Sequence, residues 1–164
     1  MRPEPIPPSP NQESVWDYPR PPRIEDVSKR IKIIFNRELI VDTHRAKRVL
    51  ETSHPPNYYI PEKDIKVGVL IASAHSTFCE WKGWASYYSV KVGDRTATNA
   101  TWHYPTPTAA FTELKGYVGF YPGPMDACYV GEEKVRSQAG TFYAGWITSN
   151  IVGPFNGEAG TQGW

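Results

Sequence analysis

The sequence lacks an excess of charge of either sign: 164 residues carry 18 Lys and Arg against 17 Asp and Glu, a formal net charge of +1. Nucleic-acid affinity comes mainly from neutralising phosphates. A balanced chain whose only basic run is Lys29-Arg30-Ile31-Lys32 is therefore not expected to bind nucleic acid. No apolar run approaches the roughly 18 residues that a membrane-spanning helix needs, so no membrane span is expected. The opening, Met1-Arg2-Pro3-Glu4-Pro5, lacks the apolar core of an export signal, which leads to the expectation of a cytoplasmic protein. Cysteine is scarce. Cys79 and Cys128 have no Cys neighbour, and in a reducing compartment both are expected to be free thiols. With His44, His54, His75 and His103 scattered along the chain, no set of four zinc ligands is recognisable, and neither a metal nor another cofactor is expected. Phosphate-cradling glycine motifs are missing. So is a pair of Asp two apart in a strand, which could hold Mg²⁺ for nucleotidyl transfer.

Aromatic residues are plentiful, with ten Tyr, six Trp and six Phe, while 16 Pro and 13 Gly interrupt the chain too often for long helices. Residues 1–23 carry eight of the prolines and read as an extended arm, with Trp16 and Tyr18 either strapping it to the domain or engaging a partner. A second copy of the chain is one candidate partner for that arm. Residues 24–136 read as the domain and 137–164 as a glycine-rich extension without regular structure. Within the domain, Ile31–Phe35 and Glu38–Asp42 pattern as strands around a turn at Asn36-Arg37. A short helical turn is expected over Arg45–Leu50, and a strand over Tyr58–Ile60. A helical turn follows Pro61, then a hairpin over 77–92, and Thr96–Trp102 is a strand. Pro107–Leu114 is the best helix candidate. Tyr117–Tyr121 and Asp126–Val130 complete the strands. Many short strands with frequent turns predict a mainly β fold of antiparallel sheets with one or two short helices.

The stretch from Ser76 to Val90 concentrates polar groups among aromatics. Lys82 sits at the turn of its hairpin beside Gly83, flanked by Trp81 and Trp84. Its ordinary role there is a solvated turn residue. Pointed instead into an aromatic pocket, it would be a nucleophile or general base. Cys79 shares a strand face with Trp81, while Glu80 falls on the other. Cys79 is either a small buried hydrophobe or, with a cation close by, a reactive thiolate. Glu51 and His54, three apart, could form an acid–base pair or belong to a plain loop ahead of Pro55-Pro56. Adjacent tyrosines point to opposite faces of a strand. At most one of Tyr58 and Tyr59, and one of Tyr87 and Tyr88, can line a given pocket.

Glu51-Thr52-Ser53-His54-Pro55-Pro56-Asn57-Tyr58-Tyr59-Ile60-Pro61, Cys79-Glu80-Trp81-Lys82-Gly83, Trp102-His103-Tyr104-Pro105 and Gly116-Tyr117-Val118-Gly119-Phe120-Tyr121-Pro122 together resemble the bacterial domain-of-unknown-function 427 family over roughly residues 30–136. The segments Gly145-Trp146-Ile147-Thr148 and Ile151-Val152-Gly153-Pro154-Phe155 are similar to an extended form of that family. The resemblance implies a β-tent-like fold, antiparallel sheets around a pocket. A nucleotidyltransferase-like label given to the family finds no motif here. The expected function is binding of a small organic ligand in an aromatic pocket around Lys82, lined by Cys79, Trp81, Trp84, Tyr87, Trp102, Tyr104, Tyr59, Glu51 and His54. Two alternatives stand beside it. One is an enzyme using Lys82 or Cys79, or Glu51 with His54. The other is an interaction module that works through the proline-rich arm.

Overall fold

Ile31, Ile33 and Phe35 are buried, whereas Lys32 and Ile34 are only partly so. Such alternation needs a strand with one dry face, and a second sheet supplies the cover. The computed structural model describes residues 2–140, 143–158, 160–161 and 164. Its strands are β1 (Glu13–Ser14), β2 (Arg23–Asp26), β3 (Ile31–Phe35), β4 (Glu38–Thr43), β5 (Lys47–Leu50), β6 (Asn57–Pro61), β7 (Leu70–Cys79) and β8 (Gly83–Val92). They continue with β9 (Arg95–His103), β10 (Tyr117–Phe120), β11 (Ala127–Val130), β12 (Glu133–Lys134), β13 (Arg136–Ser137), β14 (Trp146–Ile147) and β15 (Ile151–Val152). A seven-stranded sheet runs β2-β5-β6-β10-β9-β8-β7, and a four-stranded sheet runs β12-β11-β3-β4. Every pairing within these two sheets is antiparallel. The fold is mainly β, with short 3-10 turns as its only helical pieces among the described residues.

The two sheets pack face to face. Ile31, Ile33 and Phe35 of β3 meet Tyr58 and Ile60 of β6, Val90 of β8 and Val118 and Phe120 of β10 in one core. The opposite face of the large sheet carries a second cluster, with Val49, Tyr59, Tyr87, Trp102 and Tyr104. The large sheet is therefore buried on both sides, and its outer face is the aromatic one.

Three expectations about elements are corrected. Residues 45–50 are not a helical turn: Lys47–Leu50 is a strand paired with β2 on one side and β6 on the other. Thr43 Oγ1 does accept from the Arg45 N–H at 3.0 Å, but edge pairing on both sides outweighs a weak local cap. The helix expected over Pro107–Leu114 shrinks to a 3-10 stretch, Ala109–Leu114, broken at Phe111. Phe111 and Leu114 are its buried residues, and three-residue spacing suits the 3-10 period. Residues 137–164 are, among those described, not wholly irregular. They contribute β14 and β15, and Trp146 is fully buried against Tyr58 with ring centroids 4.7 Å apart.

The arm lies on its own chain. Val15, Trp16 and Tyr18 are buried with Leu50 and Ile151. Trp16 Nε1 donates to the Pro154 carbonyl at 2.9 Å, and β1 pairs in parallel with β15. Arg48 of β5 bonds Glu13 of the arm and Glu25 of β2.

Candidate functional site

One row of cross-strand partners builds the floor of the site. Tyr59 on β6 lies opposite Gly119 on β10, Gly119 opposite Trp102 on β9, and Trp102 opposite Tyr87 on β8. Residues in register share a face, so three aromatics and a glycine line up across four strands. Gly119 supplies room. A Cβ there would sit 2.5 Å from Trp102 Cζ2, so the indole lies flat over its backbone. Trp102 Nε1 then donates to the fully buried Tyr59 hydroxyl at 3.2 Å. Burial drives the phenols of Tyr59 and Tyr104 well above the usual tyrosine range, so both remain protonated donors. Tyr58 and Tyr88 take the other face, Tyr58 on Trp146 and Tyr88 stacked on His103.

Above this floor lies a cavity of about 310 Å³. The β7–β8 turn forms one wall. Lys82 is only 6% exposed although it sits in a turn. The docking of that turn explains this. Thr108 Oγ1 donates to the Trp81 carbonyl at 2.6 Å, and the Thr108 N–H donates to the Lys82 carbonyl at 3.1 Å. Gly83 follows with φ +102°, a left-handed conformation that turns the chain back without strain. The Lys82 side chain is folded inward as a result. Its Nζ lies 3.5 Å from Cys79 Sγ and 5.8 Å from the Tyr104 ring centre. Among the described residues no carboxylate lies within salt-bridge distance of it. A nearly buried ammonium with three donors thus has one weak sulfur acceptor and one ring face.

His54 forms the facing side. Its Nδ1 lies 3.1 Å from Gln138 Nε2. The Gln138 amide is oriented by two backbone groups: Nε2 donates to the Asn156 carbonyl at 2.7 Å, and Oε1 accepts from the Gly145 N–H at 3.1 Å. With Nε2 fixed as a donor, Nδ1 must accept, and the ring proton sits on His54 Nε2. Burial, then the charges of Arg20 and Lys82, push the His54 pKa down to about 4, so the imidazole is neutral near pH 7. Glu51 also lines the cavity, but its carboxylate lies 3.5 Å from Arg20, and His54 Nδ1 is held by Gln138 rather than by Glu51. The site therefore offers N–H donors at Lys82 and His54 above an aromatic floor, an arrangement suited to oxygen acceptors.

A family model described as a domain of unknown function (DUF427) matches residues 23–131. The chain belongs to the DUF427 family. No curated protein matches the chain. The stretch shared with DUF427 holds the aromatic floor and the Lys82 turn, while Gln138, Tyr143 and Ala144, which also line the cavity, lie beyond it.

Of the residues that sequence reading placed in the pocket of this DUF427 chain, Lys82, Cys79, Trp81, Tyr87, Trp102, Tyr104, Tyr59, Glu51 and His54 all line the cavity. Trp84 does not. It is 62% exposed and meets Phe78 edge-on at 5.2 Å on the outside of the hairpin. Alternation along β8 explains this, because Ala85 and Tyr87 take the inner face. Lys82 and Cys79, which a regular strand would turn apart, are brought together because the strand ends at Cys79 and residues 80–82 are turn. Missed residues are Thr77, Tyr121, Gln138 and Tyr143. Thr77 could have been found from its spacing, since it shares a strand face with Cys79. Gln138 carried no signal, being a lone amide in a segment read as irregular. Among the described residues no cluster of three or more His, Cys, Asp or Glu is placed to hold a metal ion.

Proposed function

We propose that this DUF427 protein binds a small organic molecule bearing a carboxylate or carbonyl oxygen, and does so in the cytoplasm. The ligand's oxygen is taken by Lys82 and His54, and its apolar part lies on Tyr59, Trp102 and Tyr104. The observation that carries the reading is the Lys82 ammonium, 6% exposed, beside a thiol and a ring face and, among the described residues, in no ion pair. Buried charge without a counter-charge is costly, and an anionic ligand supplies one. The cavity volume, about 310 Å³, falls at the lower end of the range typical of small-molecule sites.

The test is calorimetric titration of a panel of aromatic and aliphatic carboxylates, benzoate first, into wild type and Lys82→Met. Saturable binding that is lost in the variant, with Tm equal or higher, is the expected result. Undiminished binding to Lys82→Met, or no binding from any carboxylate, would overturn the reading. An enzymatic use of the same group has one observation in its favour, the 3.5 Å approach of Lys82 Nζ to Cys79 Sγ. A neutral lysine amine condensing with an aldehyde would expel the carbonyl oxygen as water and leave a Schiff base, which borohydride reduction and intact mass would detect.

A further inference from the structure

A second cavity, of about 560 Å³, lies beside the first. Thr77, Tyr87, Tyr121 and Tyr143 line both. They form the wall that the two share, and it is braced. Tyr87 has its hydroxyl 3.0 Å from Thr77 Oγ1 and its ring edge-on to His75 at 4.6 Å. Tyr121 packs edge-on against Trp102 at 5.1 Å. The two chambers share these walls but differ in chemistry. The first holds Lys82, Glu51 and Glu80. The second has no Asp, Glu, Lys or Arg among its described lining residues. Its polar groups are the hydroxyls of Thr98 and Ser137, the Asn99 amide and the His75 ring, set beside tyrosine rings.

The geometry points to a two-part ligand, whose second part is an uncharged polyhydroxylated ring of sugar type lodged in this outer chamber. The inference rests on the reading of Lys82 as the holder of an acidic or carbonyl head. A charged tail would find no counter-charge among the described lining residues of this chamber. A purely apolar tail would cover the Thr98 hydroxyl and the Asn99 Nδ2 donor without pairing them, although Ser137 Oγ already donates to the Gln138 carbonyl and Asn99 Oδ1 already accepts from Ser73. A sugar ring meets both conditions. Its C–H faces lie on tyrosine rings, and its hydroxyls donate to and accept from hydroxyl and amide partners. Tyr87 and Tyr121 belong to both chambers, so the two parts of such a ligand would lie against one shared aromatic wall.

The experiment compares three probes by calorimetry on the full chain: benzoate, methyl glycosides, and 4-carboxyphenyl glycosides, the sugars in their gluco, galacto and manno forms. At least one 4-carboxyphenyl glycoside is expected to bind about tenfold or more tighter than benzoate, since the second contact is then intramolecular. Thr98→Phe and Ser137→Leu fill the outer chamber from different strands. In whichever of them keeps the wild-type Tm, the gain should vanish while benzoate affinity stays put. If no glycoside exceeds benzoate, or if the gain survives in the folded variant, the inference is overturned. If benzoate fails but a methyl glycoside binds and is lost in the folded variant, the Lys82 reading falls and the sugar chamber stands alone. The two failures are thus distinct.

Discussion

Gly119 decides more of the site than any side chain, because its missing methyl is where Trp102 lies. A Cβ placed 2.5 Å from the indole must push either the ring or strand β10. Gly119→Ala is therefore expected to destabilise by roughly 1–3 kcal/mol, the usual cost of overpacking, and to weaken carboxylate binding. Urea unfolding checks the first effect, and an unchanged midpoint would show that Trp102 has room to move. His54 makes a prediction about acid. Its unfolded imidazole titrates near 6.5 and its folded one near 4, so between those values the unfolded chain binds more protons. The His54 contribution is complete above pH 6.5 and declines as pH falls toward 4. Wild type should accordingly lose more stability between pH 7 and pH 5 than His54→Gln, as read from urea midpoints at both values. Carboxylate effects common to the two proteins cancel in that comparison. Equal losses would mean the ring is not held neutral. The splitting of Tyr58 from Tyr59 and of Tyr87 from Tyr88 between the two faces was legible in the sequence, because alternation allows one tyrosine of each pair per face, but alternation alone does not say which of each pair faces the cavity. The inward turn of Lys82 was one of two readings the sequence left open, since what secures it is Thr108, a residue 26 positions further along the chain.

At the scale of elements, the strands over residues 31–42 and 117–130 were legible because hydrophobic alternation and turn residues agree there. Residues 45–50 misled because a local cap and a run of Arg and Lys look helical, whereas the pairing partners β2 and β6 are invisible locally. The arm shows the same limit in reverse. Its prolines predicted extension, and Trp16 and Tyr18 were legible as anchors, but their seat on Pro154, Leu50 and Ile151 was not. The prolines before Glu13 are mostly exposed, and the buried anchors lie after it. Deleting residues 1–12 should leave Tm nearly unchanged. Deletion through residue 22 removes Val15, Trp16, Tyr18 and the Glu13 partner of Arg48. Buried apolar side chains contribute about 1.5–3 kcal/mol each, which for a domain of this size corresponds to a fall in Tm on the order of 10 °C. Differential scanning calorimetry of the two truncations decides it, and equal losses would place the anchor in the proline segment.

For the molecule as a whole, a mainly β antiparallel architecture followed from the density of short strands, but the division of labour between faces did not. Which face of a buried sheet is core and which is site depends on what covers each, and here the cover is the four-stranded sheet on one side and the hairpin turn with the C-terminal extension on the other. The two thiols report on those faces separately. Cys79 lines the cavity and is half-buried, while Cys128 lies between the sheets with its pKa raised by burial. In native protein one thiol should react promptly with a disulfide reagent, and two after unfolding. Benzoate should slow the first. Two prompt thiols would indicate that the inter-sheet core opens readily. The parallel pair β1–β15 has a consequence in time. It joins Glu13 to Ile151, residues that leave the ribosome roughly ten seconds or more apart. Within that interval, for the 34 positions that separate Tyr104 from Gln138, roughly a few seconds, the nascent chain has Tyr59, Trp102 and Tyr104 but neither Gln138 nor Tyr143 above them. The aromatic floor is thus made before its cover, and translation speed over residues 105–138 sets how long it stays open.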